Sequence, residues 1–324
     1  MSLILPELAP QTGEDWVIRQ REPFLEITLR SARGEVTITR RDDYVGYKLL
    51  DGVEGLGVAP IRYESTPRPT HGAVKRHVSL DEAEIHLPLA LVAPTQGDVS
   101  ELAQQLIEVI APGEDVLTEI EVYAPSRGES RSRFGYYTEG LEGRLGGSDS
   151  HYQWRHLALT FTCPDPWWHG EQRAEEWQLK TTAKPFVSSR VPFFPVVLSD
   201  TVIQGVREFT VAGDAPAEPV WTITGPGLNP VLACQSCGKR LDLSGASGTT
   251  NFRVTEPITI DTRTRYRTIS TPSQKHGELW DMLTLDSQMF SLQTGQNFVS
   301  MSMVEAGRQA KVSMTYRERW KAGF

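Results

Sequence analysis

Cys234 and Cys237 have the two-residue spacing of a zinc-binding or redox-active pair. A structural zinc needs four ligands, yet the chain has one other cysteine, Cys163, and no histidine follows the pair at zinc-finger spacing. A redox pair is expected at the start of a helix, whereas this one lies between two strand-like segments and precedes Gly238. We therefore predict cysteines of a turn or a core, no metal site and no cofactor.

Other arrangements that support catalysis are missing from the sequence or indicate solvated charge. The chain has no Gly-x-Ser-x-Gly elbow, no His-Glu-x-x-His motif and no phosphate-binding loop. Glycoside hydrolysis requires two carboxylates across a cleft, but adjacent residues of a strand point to opposite faces. The acidic groups that stand out are adjacent pairs: Glu14 and Asp15, Asp42 and Asp43, Asp81 and Glu82, and Glu175 and Glu176. We predict no catalytic residue and no enzymatic activity.

Three tryptophans, Trp167, Trp168 and Trp177, lie on either side of residue 170. Aromatic side chains on a surface bind sugars or partner proteins, and aromatic side chains in a seam fill the space between two domains. The sequence favours the seam, and it leaves a binding role open.

The elements that must position these side chains are mostly strands. Alternation of apolar and polar residues predicts strands at residues 24–29, 35–39, 84–92, 116–123, 132–139 and 154–162. One helix is predicted at residues 98–111. Asp98 is its expected N-cap, Glu101 stands three positions on, at the spacing of a capping box, and Pro112 ends it. Residues 64–72 contain two prolines and a glycine, which is typical of an exposed loop.

The sequence breaks near residue 170, in a segment rich in proline and tryptophan, which predicts two domains, residues 1–170 and 171–324. Short strands in the second domain have the spacing of a β-sandwich and are predicted at residues 196–198, 208–211, 220–224, 240–243, 252–254 and 258–261. Residues 300–304 and 310–316 alternate around a turn at Glu305 and predict a closing hairpin.

The charge and the apolar pattern of the chain limit its partners. The formal net charge is -8, which disfavours wrapping of nucleic acid because phosphate binding needs clustered Lys and Arg. DNA could still pass along a surface that does not attract phosphates. No apolar run approaches the length of about 18 residues that a membrane span needs, and the first residues carry no basic stretch. We therefore predict neither a membrane span nor a secretory signal, and assembly in a cytoplasm.

Four segments of the chain stand in an order that is shared with one protein family. They are Asp51-Gly-Val-Glu-Gly-Leu-Gly with His71-Gly-Ala downstream, Leu159-Thr-Phe-Thr-Cys-Pro-Asp-Pro-Trp-Trp-His-Gly, Val211-Ala-Gly-Asp-Ala-Pro-Ala-Glu-Pro-Val-Trp-Thr-Ile-Thr-Gly with Ile258-Thr-Ile-Asp-Thr-Arg, and Ser291-Leu-Gln-Thr-Gly-Gln-Asn-Phe-Val. These segments resemble the distal tail proteins of siphophages, in the form common among phages of actinobacteria. The resemblance extends over almost the whole chain, and none of its motifs is catalytic.

The resemblance implies a mainly β protein with two domains. Residues 1–170 would form a ring-forming, tail-tube-like β-sandwich with one flanking helix. Residues 171–324 would form an outward-facing sandwich like a galectin or a carbohydrate-binding module, whose last strands could pack back on the first domain. The implied role is that of a virion structural protein, whose homohexamer ring joins the distal end of a long non-contractile tail to the tip or baseplate.

The same resemblance implies the partners and the location. The partners are further copies of the chain, the tail tube protein and the tip or hub protein, with the tape measure protein and receptor-binding proteins as additional candidates. DNA would pass through the ring without sequence-specific binding. The location would be the virion tail tip, after assembly in the host bacterial cytoplasm.

Polar segments of the first domain are candidate contacts within such a ring or with the tube. They are the loop at residues 62–75 and the basic tip at residues 126–133, whose composition is typical of exposed chain. The residues singled out in them are Arg62, His71, Lys75, Arg127, Arg131 and Arg133.

Two other functions stay open at the level of sequence. A saccharide-binding module for host recognition would need an aromatic shelf with polar neighbours on the second domain. A carbohydrate-active enzyme would need two converging carboxylates, which no spacing in the chain proposes.

Overall fold

The structure is a computed structural model that describes residues 25–39, 45–125, 127–142, 150–151, 153–178, 203–245, 252–273, 279–307 and 309–324. Contacts between Cα atoms divide the chain into two compact units, one of Met1–Trp168 with Lys321–Phe324 and one of His169–Trp320. Strands make up most of the described part of both units, which confirms the predicted mainly β class.

The first unit is built around a closed barrel. Its strands are β1 (Glu26–Ser31), β2 (Gly34–Thr39), β3 (Gly46–Leu49), β4 (Ile61–Pro67), β5 (Ala73–Leu80), β6 (Ala83–Val92), β7 (Thr118–Ala124), β8 (Glu129–Glu139), β9 (Ser150–His151) and β10 (Trp154–Cys163). Seven of them pair in the order β8-β7-β1-β2-β3-β6-β10, and β10 also pairs with β8, which closes the sheet on itself. The β2–β3 pair is parallel, and the other pairs of the barrel are antiparallel.

Apolar side chains at every second strand position form the core of this unit. Ile27 and Leu29 of β1, Leu87 and Leu89 of β6, and Phe161 of β10 are fully buried. Burial of one such side chain contributes about 1.5–3 kcal/mol to folding. The period-two pattern therefore predicted these strands because it reports the buried face directly.

The helix α1 (Gln96–Ile110) packs against β1, β2, β6 and β10. Its N-cap is Thr95, whose hydroxyl accepts a hydrogen bond from the Asp98 backbone N–H at 3.2 Å, so the predicted N-cap at Asp98 is wrong. Asp98 lies instead in the first turn, where its charge complements the helix dipole. On the other side of the contact, the Tyr47 hydroxyl donates to the Leu102 carbonyl oxygen at 2.9 Å.

A two-stranded sheet is separate from the barrel strands. β4 and β5 pair with each other from Ile61 and Leu80 to Pro67 and Ala73, and among the described strands they pair with no other. The prediction of a loop at residues 64–72 is therefore wrong in part, since only residues 68–72 connect the two strands. Pro67 is tolerated because it ends a strand that has one neighbour, where a missing N–H costs little.

The second unit is a β-sandwich. Its strands are β11 (Trp168–Gln178, whose first residue belongs to the first unit), β12 (Ile203–Val211), β13 (Val220–Thr224), β14 (Gly227–Cys234), β15 (Lys239–Asp242), β16 (Arg253–Val254), β17 (Ile258–Asp261), β18 (Thr268–Ser270), β19 (Gly295–Val304) and β20 (Lys311–Trp320), with a 3-10 helix at Trp280–Met282. Five of its strands follow one another in one sheet, in the order β18-β17-β13-β20-β11, and the other sheet has the order β12-β19-β14-β15 with β16 on β14. Trp221, Ile260 and Met314 of the first sheet share one buried core with Leu232 and Met301 of the second.

The predicted closing hairpin at the end of the chain is wrong. β19 pairs with β12 and β14, whereas β20 pairs with β13, so the two strands lie in different sheets. Both alternate because each buries one face, with Met301 and Met303 on β19 and Val312 and Met314 on β20 in the common core. Alternation identifies the buried face of a strand but not the strand with which it pairs.

We expect Gly55 to tolerate no side chain. Its φ is +84°, and a Cβ atom there would lie 1.9 Å from the Glu84 carbonyl oxygen, whereas Gly113 has a φ of +83° with nothing within 4 Å. Gly113→Ala should lower the free energy of unfolding by about 1–2 kcal/mol through backbone strain alone. Gly55→Ala should cost about 1–3 kcal/mol more because the overlap must also be relieved. Urea denaturation followed by circular dichroism measures both values, and equal losses would contradict the close approach.

Candidate assembly interface

The β4–β5 hairpin has an apolar face that the single chain leaves exposed. Ile61 stands opposite Leu80 in the strand register, and Tyr63 stands opposite Val78, so the four side chains share one face. Ile61 is 45%, Tyr63 is 60% and Val78 is 42% exposed, and Leu80 is half-buried. An exposed apolar face of this kind is a candidate surface for docking.

The charged groups of the hairpin are weakly held. Arg62 and Asp81 form an ion pair, with Nη2 and Oδ2 3.0 Å apart. The Lys75 Nζ lies 4.5 Å from the centroid of the Tyr63 ring. Exposed contacts like these contribute about 0–1 kcal/mol each. They orient side chains without making the hairpin stable by itself, and an isolated two-stranded sheet is marginal in water.

Three of the predicted interface residues come together on this hairpin. Arg62 lies in β4, Lys75 lies in β5, and His71 lies at the exposed connection between the strands. The apolar face was not predicted from the sequence, although the alternation of Ile61 and Tyr63 around Arg62 is a visible signal for a strand. The two prolines obscured that signal.

The predicted basic tip at residues 126–133 is wrong for two of its three arginines. Arg127 is exposed in the turn that precedes β8. Arg131 and Arg133 lie within β8 and are only 5% and 0% exposed, so neither belongs to an exposed loop. Arg131 and Arg133 can be buried because backbone carbonyls inside the first unit accept hydrogen bonds from both side chains.

Arg133 is held between backbone carbonyls and an aromatic ring. Its Nη1 donates to the Gly55 oxygen at 3.1 Å, and its Nη2 donates to the Pro166 oxygen at 2.7 Å. The guanidinium lies 4.4 Å from the centroid of the Trp168 ring. Burial lowers the pKa of Arg133 to about 10, which still leaves the group charged at neutral pH. Arg133 therefore links two segments of the first unit and is not a docking residue.

The three tryptophans have different environments. Trp168 is fully buried beneath Arg133 and offers no ring face to a sugar. Trp177 is half-buried and meets Trp221 edge-on, with ring centroids 6.1 Å apart. Trp167 is also half-buried. The seam role of the three, and a binding role for the two half-buried ones, stay predictions.

Cys234 and Cys237 form a disulfide across the turn between β14 and β15, with their Cα atoms 5.5 Å apart. Cys234 is buried and Cys237 is half-buried, which is the turn-and-core setting that the sequence suggests. Within the described ranges, no three Cys, His, Asp or Glu side chains form a group that could hold a metal ion. No helix in the described part of the chain is both long and apolar enough to cross a bilayer.

No protein-family model matches the sequence, and no curated protein matches it. Solved structures do match the fold. The SPP1 Dit protein, described as a paradigm of the hub of the adsorption apparatus in phages that infect Gram-positive bacteria, aligns with a TM-score of 0.58 and 14% identity over 90% of this chain and 98% of its own. A chain of the phage P2 baseplate in its activated conformation with calcium aligns with a TM-score of 0.51 and 9% identity over 93% of this chain and 99% of its own. The chain therefore shares its fold with phage hub and baseplate proteins.

Replacement of Arg133 tests its role in the first unit. Arg133→Lys loses the planar group that contacts two carbonyls and a ring at once, so we expect the free energy of unfolding to fall by about 2–3 kcal/mol. Arg127→Lys changes an exposed arginine of the same strand region and should have no measurable effect. Urea denaturation of both variants gives the comparison, and an unchanged Arg133→Lys protein would exclude this account.

The buried Cys163 thiol should make stability depend on alkaline pH. Burial, partly opposed by Arg133, raises the pKa of Cys163 from its ordinary value to about 12. Above pH 9 the unfolded chain loses this proton while the folded chain keeps it, so the free energy of unfolding falls as pH rises. We expect this group to account for ~1.4 kcal/mol between pH 8 and 10. Urea denaturation at several pH values measures the free energy of unfolding, which should fall less steeply with pH in Cys163→Ala than in the wild type. The same dependence on pH in both proteins would contradict this account.

Proposed function

We propose that this chain is a distal tail protein of a long-tailed phage, a structural virion component whose copies form a ring between the tail tube and the tip or baseplate. Two findings support the proposal. The fold is shared with the SPP1 Dit protein over 90% of this chain, and four sequence segments resemble siphophage distal tail proteins. We infer that the chain is not an enzyme, because its relatives in fold are hub and baseplate proteins.

The observation that carries the proposal is the exposed apolar face of the β4–β5 hairpin. The occupant that we propose for it is a second copy of the chain. The seven barrel strands pair in a closed order, whereas the β4–β5 hairpin pairs with no other strand in the described part of the first unit, which leaves its outer edges available to a neighbour. A contact between two different surfaces of identical subunits repeats until a ring closes. The number of six subunits comes from the family resemblance.

The proposed partners follow from this position in the virion. The ring would contact the tail tube protein on one side and the tip or hub protein on the other, with Arg127 as a candidate contact. Tape measure and receptor-binding proteins are further proposed partners. The net charge of -8 suits a conduit that DNA crosses without sequence-specific binding. We place the mature protein at the virion tail tip, after assembly in the host cytoplasm.

A triple substitution on the apolar face tests the proposal. Ile61→Ser, Tyr63→Ser and Val78→Ser together should abolish assembly, because they remove the apolar contact while each changes a side chain that is exposed in the single chain. We expect wild-type protein to elute as an oligomer in size-exclusion chromatography with light scattering and to show rings in negative stain. The variant should elute as a folded monomer.

A matched control is available in the second unit. Val206 is 55% exposed on β12, and Val206→Ser should leave the oligomer intact. The proposal fails if the wild-type protein stays monomeric as its concentration is raised, or if the triple variant assembles as the wild type does.

A further inference from the structure

The outer face of one sheet in the second unit carries a row of hydroxyl groups. Ser270 of β18, Thr259 of β17, Thr222 of β13 and Ser313 of β20 are successive register partners across four strands. Their neighbours along each strand are buried in the sandwich core, so these four side chains point outward. With strands about 4.8 Å apart, the row extends over about 14 Å.

These hydroxyls are accessible and unused. All four residues are half-buried, and within the described part of the chain none of their side chains makes a hydrogen bond. Opposed Ser and Thr side chains on neighbouring strands often bond to each other. Here the hydroxyls remain available to an external polar ligand.

A basic, aromatic loop adjoins this face. Residues 262–267 connect β17 to β18, and residues 263–267 are exposed. The loop follows Asp261 and precedes Thr268. These two residues are register partners, and each lies two positions along its strand from Thr259 or Ser270. The loop therefore lies beside the end of the hydroxyl row that Thr259 and Ser270 form.

The loop is braced from within the second unit. Arg263 donates from Nε and Nη2 to the two Asp261 oxygens at 3.0 and 2.6 Å. The Thr264 hydroxyl donates to Glu218 at 2.6 Å. A loop held in this way loses little conformational entropy when a ligand binds.

The braced loop presents cations beside an aromatic ring. Tyr266 is 48% exposed, and the guanidinium groups of Arg263 and Arg265 lie 4.9 and 5.7 Å from its ring centroid. Arg267 is exposed and makes no ion pair or hydrogen bond with the residues that the structure describes. Residues 261–267 contain three arginines and one carboxylate, Asp261, so the loop has a local positive charge on a chain whose net charge is negative.

We propose that this face binds an acidic polysaccharide. The Ser and Thr hydroxyls would exchange hydrogen bonds with sugar hydroxyls, the Tyr266 ring would pack on a sugar face, and Arg267 would bind a carboxylate or phosphate substituent. A protein partner fits less well, because the cores of protein interfaces are apolar and aromatic and depleted in Ser. The inference stands on this surface alone and does not require ring formation.

Binding of the full-length protein to three polymers tests the proposal. The probes are polygalacturonate, which carries carboxylates, phosphomannan, which carries phosphates, and dextran, which is neutral. We expect saturable, salt-sensitive binding to at least one acidic polymer in biolayer interferometry and at least about tenfold weaker binding to dextran. The acidic polymer that binds more tightly shows whether the face prefers a carboxylate or a phosphate substituent.

Two sets of substitutions separate the loop from the row. Arg267→Gln should weaken binding about tenfold, since a charge-assisted hydrogen bond is lost. Thr222→Val with Ser313→Ala should weaken it by about three- to tenfold, since neutral hydrogen bonds are lost. Arg253→Gln is the matched control, because Arg253 is also exposed but lies on β16, which pairs with the other sheet. This control should bind as the wild type does.

Several outcomes would overturn the proposal. They are no binding to either acidic polymer, equal binding to dextran, an equal loss with Arg253→Gln, and binding of poly-glutamate as tight as that of the acidic polysaccharides. Size-exclusion chromatography of the same variants reports on the oligomer separately, so failure of glycan binding and failure of the ring proposal are distinguishable.

Discussion

Closure of the barrel through the pairing of β10 with β8 is the constraint on which the first unit depends. A strand backbone that finds no partner is a site for uncontrolled pairing with other chains. Because the barrel strands pair in a closed order, pairing through an edge of the barrel is not the expected means of joining subunits. The β4–β5 hairpin stands outside the barrel as a separate two-stranded sheet, and for this reason we propose it as the contact between subunits.

The fold could be predicted from the sequence where one residue pattern determines one local structure. Fully buried alternating residues such as Ile27 and Leu29 identified strands, and the apolar stripe of 98–111 identified the helix. The prediction failed where the path of the chain or long-range strand pairing determines the structure. Thr95 and Asp98 are both good N-caps in composition, and only the chain path selects Thr95. The alternation of β19 and β20 predicted their buried faces, while their assignment to different sheets depends on long-range pairing.

The candidate site shows the same division. Arg62, His71 and Lys75 were predicted to be exposed because charged and proline-rich segments are typical of exposed chain, and all three are exposed, while their role as contacts stays a prediction. Arg131 and Arg133 have the same composition, yet they are buried because carbonyls at distant positions accept their hydrogen bonds. No sequence window contains both members of such a bond. The hydroxyl row of the second unit was invisible for the same reason, since its four residues come from four separate strands.

The return of the last residues to the first unit has a consequence for biosynthesis. The Gly323 N–H donates to the Leu56 oxygen at 2.8 Å, and Arg131 donates to the Ala322 oxygen at 2.8 Å, so the segment after β20 completes a unit whose other residues precede position 169. The whole intervening sandwich is therefore synthesised before these two hydrogen bonds can form. A chain that stalls or is cut within that sandwich lacks both hydrogen bonds, so truncation in the second unit also removes contacts of the first.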